Sequence, residues 1–126
     1  MFFAVPQKID GPPDRKAIFY SAAVFPGLGQ FRQKRIPAAT LYAAAGALAS
    51  TIFIVVLVRH GMDAARITWQ AWTYGIDPDE ARTAFFPILK SGAFLIGIHL
   101  ANIYDVVYAW YRHRLVWADM QERGKS

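Results

Sequence analysis

The sequence contains no cysteine, which excludes disulfides, thiolate metal sites and a cysteine nucleophile. Charge is also scarce. Only 18% of the 126 residues are charged while 55% are hydrophobic, where soluble domains average about 25% and about 45–50%. The three histidines, His60, His99 and His113, lie too far apart along the pattern to converge on a metal, and a haem would rest on His99 alone. No phosphate-binding loop with a Lys-Ser/Thr ending, no nucleophile with its base and no pair of catalytic carboxylates is visible. No cofactor, no metal and no enzymatic activity are expected. Met1–Pro6 lacks a basic lead-in and a small-residue cleavage site before Gly11-Pro12-Pro13, so no cleaved signal peptide is expected.

What is present is apolar and blocked. Ile36–Val58 carries no charge and is bracketed by Arg35 and Arg59. At about 1.5 Å per residue such a stretch crosses the roughly 30 Å of bilayer hydrocarbon. Pro37 suits the first turn, where its missing N–H is least felt. A second apolar stretch, about 88–111, is nearly free of charge from Ser91 to Tyr111 and contains one acid, Asp105. An Asp costs roughly 2.5–3.5 kcal/mol at mid-membrane, each Leu, Ile, Phe or Val returns about 0.3–0.6, and Asp105 lies off centre. Tyr104, Tyr108, Trp110, Tyr111 and Trp117 populate that end as an interfacial aromatic belt does. Ala17–Phe31 is also uncharged but too short to cross, and Pro26-Gly27 interrupts it.

These features predict an all-α membrane protein with two transmembrane helices, about 37–58 and 88–111, plus a short interfacial or re-entrant helix at about 15–29. Residues 1–16 are expected to form a flexible tail, since Pro6, Pro12 and Pro13 oppose regular structure. Residues 17–114 form the membrane hairpin domain, with an outer loop at 59–85, and 115–126 a C-terminal tail. Asp77-Pro78-Asp79-Glu80 reads as a helix start, with Asp77 as N-cap, Pro78 in the first helical position and acids in the first turn. That helix is expected to run into the second span, with Pro87 as a point of bending.

Lys8, Arg15, Lys16, Arg32, Lys34 and Arg35 precede the first span, and Arg112, Arg114, Arg123 and Lys125 follow the second. The intervening segment has Arg59, Arg66, Arg82 and Lys90 offset by Asp63, Asp77, Asp79 and Glu80. The excess of Lys and Arg on both flanks predicts cytoplasmic termini and an inner-membrane location. The net charge of +5 comes without a basic face interleaved with stacking aromatics, so nucleic acid is not an expected partner. Anionic lipid is, through Arg32, Lys34, Arg35, Arg112 and Arg114.

Two short motifs stand out. Pro26-Gly27-Leu28-Gly29-Gln30 follows an apolar helix and precedes the basic Arg32-Gln33-Lys34-Arg35 and a span; Asn102-Ile103-Tyr104-Asp105 sits in the second span. In content and order, over roughly residues 17–112, the chain resembles small uncharacterised bacterial membrane proteins carrying PGLGQ and N-x-Y-D elements, similar to two-helix transmembrane-hairpin domains. The resemblance implies a membrane hairpin and no particular activity.

From the residues themselves, Pro26, Gly27 and Gly29 permit a sharp turn. That turn either seats the first helix or exposes amides to a ligand. Topology brings it near Asp105, whose expected partners are the amides of Gly27–Gln30, Arg32, Arg35 or Asn102. His99, Asn102, Tyr104 and Asp105 form an intramembrane polar cluster, read either as a clamp between helices or as an ion or proton path. Small residues at four-residue spacing, Ala39, Ala43 and Ala47 in the first span and Ala93, Gly97 and Ala101 in the second, allow close helix packing within one chain, in a homo-oligomer or against other membrane proteins. The expected function is a membrane scaffold or accessory subunit; the alternative is a small channel or transporter component with a polar path at His99, Asn102 and Asp105.

Overall fold

A computed structural model describes residues 11–124. The first ten residues of the expected tail, with Lys8 and Pro6, and Lys125 at the other end lie outside the described residues. The protein is all-α, with no strand among the described residues: two short helices, α1 (Lys16–Ala23) and α2 (Leu28–Arg32), then two long apolar ones, α3 (Ile36–Tyr74) and α4 (Pro78–Arg123).

Both long helices are long and apolar enough to cross a membrane. Of the most apolar part of α3 only 11% is buried inside the protein, and of α4 only 6%. A helix at the heart of a soluble core would be mostly buried, so these stretches have no protein interior to explain their composition. Leu48, Ile54, Val58, Phe94, Ile96 and Leu100 are all exposed. Polar groups along them are folded back: Thr40 Oγ1 donates to the Ile36 carbonyl at 3.0 Å and Thr51 Oγ1 to that of Ala47 at 2.9 Å, hiding each hydroxyl in its own helix.

The helices run further than the charge-free stretches. Residues 59–85, expected as an outer loop, are helical apart from 75–77. Charge decides where a helix meets water, not where it stops, and 59–74 contains no proline. Gly75, at φ +88°, stands just past Tyr74 and terminates α3 in the left-handed conformation that glycine adopts cheaply. α4 begins as its sequence predicts: the Asp79 amide donates to Asp77 Oδ1 at 3.0 Å and the Ala81 amide to the Asp77 carbonyl at 3.0 Å. Pro87 is inside α4, which continues through it.

The chain divides into two compact units. In the unit formed by 47–97, Ala64, Ile67 and Ala84 are buried together, flanked by Ala81, Phe85 and Ile88. Arg66 reaches Glu80 at 2.9 Å across that hairpin. The other unit, 1–46 with 98–126, holds α1, α2, the first turns of α3 and the C-terminal half of α4. Every candidate polar residue falls in it.

Candidate functional site

The expected single helix at about 15–29 is two helices, because Pro26-Gly27 breaks it. Gly27 has φ +97°, and a Cβ there would meet the Ala39 carbonyl oxygen at 2.5 Å. Pro26 lies against Gly46 of α3, where an added Cβ would stand 2.9 Å from its ring. Gly29 is equally confined: a Cβ there would collide with Ser21 Oγ and the Ala17 carbonyl. The two glycines are required by contact with two different helices, α3 and α1.

Breaking a helix orphans backbone groups, and in apolar surroundings each needs a partner. The partners come from α4 and from α1 itself. At the end of α1, the Ser21 carbonyl accepts from Asn102 Nδ2 at 3.1 Å and the Ala22 carbonyl accepts from His99 Nε2 at 2.8 Å. A carbonyl oxygen only accepts, so Nε2 of His99 carries a proton. At the start of α2, the Gly27 amide donates to Asn102 Oδ1 at 3.1 Å and the Gly29 amide to Ser21 Oγ at 3.0 Å. His99 and Asn102, three apart and therefore on one face of α4, cap the break between α1 and α2.

Gln30, fully buried, extends the network. Its Nε2 donates to the Asn102 carbonyl and to Asp105 Oδ2, both at 3.3 Å, and its Oε1 accepts from Ser21 Oγ at 3.3 Å. Asp105 is completed by Arg35, whose Nη2 lies 3.0 Å from Oδ1 and 2.9 Å from Oδ2. The Arg35 side chain is only 2% exposed, and its Nη1 donates to Gln33 Oε1 at 3.2 Å. Gln33 in turn donates to the Val106 carbonyl at 3.1 Å.

The backbone at 30–35 explains why Arg35 points inward. The Arg35 amide donates to the Gln30 carbonyl and the Lys34 amide to that of Phe31, at 2.9 and 3.0 Å, a Schellman closure with Lys34 in the left-handed position at φ +58°. The chain therefore reverses within one residue and enters α3 with Arg35 against α4.

Of the sequence-derived candidates, Pro26–Gln30, His99, Asn102 and Asp105 are brought together. Tyr104 is not: it is 59% exposed and stacks on Tyr108, with ring centroids 6.3 Å apart. Arg35, offered by the sequence both as a lipid contact and as a partner of Asp105, is buried on Asp105. Arg32 pairs with Asp14, Nη2 to Oδ2 at 2.7 Å, and lies over the Tyr20 ring at 5.0 Å. Lys34, Arg112 and Arg114 are not buried. Ala39 packs under the Gly27 turn, whereas Ala47, Ala93, Gly97 and Ala101 are exposed, and a Cβ on Gly97 would meet nothing. Ser21, Gln33 and Asp14 were not singled out by sequence; the signal available for Ser21 was its place one turn before a predicted helix break.

Burial pushes the Asp14 carboxyl up, but the Arg32 and Lys16 amide hydrogen bonds and the two cations outweigh it and hold it below its ordinary value. No cluster of three or more metal-ligating side chains exists among the described residues. No family model matches the chain, and no curated protein or solved structure matches it either.

Proposed function

We propose that this protein is a non-enzymatic scaffold or accessory subunit of a bacterial inner membrane, related to the PGLGQ-motif hairpin proteins it resembles. The observation that carries the reading is that the cluster's side chains are paired with one another and with the α1–α2 break. Asn102, Gln30 and the Asp105 carboxylate spend their hydrogen-bonding groups on the α1–α2 break and on Arg35, and His99 donates to a carbonyl. A conducting path needs groups free to exchange ions or protons; a clamp needs them paired. The exposed Ala93, Gly97 and Ala101 offer a small-residue face for another membrane helix. The basic flanks orient both termini to the cytoplasm.

The test combines reconstitution with reporters. Vesicles containing the pure protein are expected to show no ion or proton flux above empty vesicles, and Asp105→Asn is expected to reduce folded yield. Flux that depends on Asp105 would replace this reading with the channel. Reporter fusions at either terminus are expected to signal the cytoplasm, and a periplasmic signal overturns the orientation.

A further inference from the structure

A second convergence of polar groups, unlike the clamp, has no anionic partner among the described residues. Arg15, immediately before α1, and Arg114 on α4 both bring their guanidinium over one indole, Trp110, with Cζ 5.9 and 5.7 Å from the ring centroid. Neither has a carboxylate partner among the described residues. The Trp110 Nε1 is closed to solvent and also lacks a partner among the described residues. Arg32 too lies over a ring, Tyr20, but Asp14 neutralises it. Around Trp110, two like charges are gathered on one aromatic, and no carboxylate among the described residues pairs with either.

We propose that Arg15, Trp110 and Arg114 form a binding site for the phosphate of an anionic phospholipid. Guanidinium forks match phosphate oxygens, and an anion bound at the ring the two share offsets their like charge. The occupant is a lipid because of what shares the site's face. Val107, Trp110, Tyr111, Arg114 and Leu115 follow the i, i+3, i+4, i+7, i+8 spacing of one helix face, and Val107, Tyr111 and Leu115 are exposed. The head-group site thus continues into an apolar strip that an acyl chain can follow. The aromatic end of α4 is also where a phosphate layer would lie, a placement that rests on the membrane reading above.

The full chain is purified in mild detergent, exposed to equal phosphatidylglycerol and phosphatidylcholine, and the retained lipid counted by native mass spectrometry. Wild type is expected to retain phosphatidylglycerol in excess, and Arg15→Gln/Arg114→Gln to lose that excess by roughly tenfold. Trp110→Phe, which keeps an aromatic ring but not the indole N–H, is expected to lose less. Arg82→Gln, elsewhere in the chain, is expected to change nothing. Unchanged selectivity in the double variant overturns the site. Displacement of the lipid by millimolar inorganic phosphate overturns the lipid as its occupant. If the double variant does not fold, the single variants Arg15→Gln and Arg114→Gln decide: wild-type selectivity in both overturns the site. Failure of wild type to enter bilayers would sink the membrane reading, whereas a protein that enters them without selecting lipid sinks this site alone.

Discussion

Arg35 and Asp105 meet with one guanidinium nitrogen 3.0 and 2.9 Å from the two carboxylate oxygens. The pair joins the first residues before α3 to the second half of α4. The Arg35 Nε is buried with no partner among the described residues, so Arg35 depends on Asp105 more heavily than a fully bonded arginine would.

Removing one member of a buried pair leaves the other charge uncompensated. Asp105→Asn is expected to destabilise the protein by about 3–5 kcal/mol, read from denaturant titration in mixed micelles. Arg35→Met/Asp105→Leu is expected to recover most of that loss, since no lone charge remains. A double variant as unstable as the single one would show that the pair contributes more than mutual neutralisation.

The glycines make a graded set. Gly29→Ala forces a methyl into Ser21 Oγ and the Ala17 carbonyl and is expected to cost about 1–3 kcal/mol. Gly27→Ala adds to its collision with the Ala39 carbonyl the left-handed penalty of roughly 1–2 kcal/mol. Gly97→Ala meets nothing within 4 Å and lies inside α4, so thermal unfolding should be unchanged or slightly raised.

Capping of the α1–α2 break ranks two substitutions. His99→Leu orphans one carbonyl, that of Ala22. Asn102→Leu orphans the Ser21 carbonyl and the Gly27 amide together. The His99 bond is exposed and both Asn102 bonds are buried, so at about 1–3 kcal/mol for each abandoned buried group Asn102→Leu should be at least twice as damaging. Equal losses by thermal unfolding would dismiss the capping assignment.

The Asp14–Arg32 pair should titrate in acid. The Asp14 carboxyl is held below its ordinary value, so its contribution is complete above the unfolded carboxylate range and fades as pH falls through the lowered value. The Arg32 Nε–H resonance, bonded to Asp14 Oδ2 at 2.9 Å, is expected to shift as pH falls below the ordinary carboxylate range. In Asp14→Asn that titration should vanish.

Much of this was legible from the chain. The uncharged run after Arg35 located α3, and Asp77-Pro78 located the start of α4 to the residue, because capping chemistry is local. The ends of the long helices were not, since Arg59 and Asp63 show only where polarity begins. Asp105 visibly needed a donor, but the turn amides, Asn102, Arg32 and Arg35 were all open as candidates, and the two arginines were equivalent by charge. What separates them is the left-handed turn at Lys34, a conformation no hydrophobic period announces for a lysine. His99 and Asn102 were legible as a polar pair on one face; that they cap another helix required knowing where α1 ends.

The clamp also has an order in time. Ser21, Gln30 and Arg35 are made early, while Asn102 and Asp105, which bond them, follow 70 to 81 residues later in sequence. At about 5–20 residues per second of synthesis, the early segment waits on the order of 4 to 16 seconds with its broken helix uncapped. A ribosome halted before Asn102 would therefore leave a chain whose first polar segment has nothing to hold it. Cellular proteases that survey the membrane surface would meet that unfinished product as an open end, and the finished one as a closed knot of bonds.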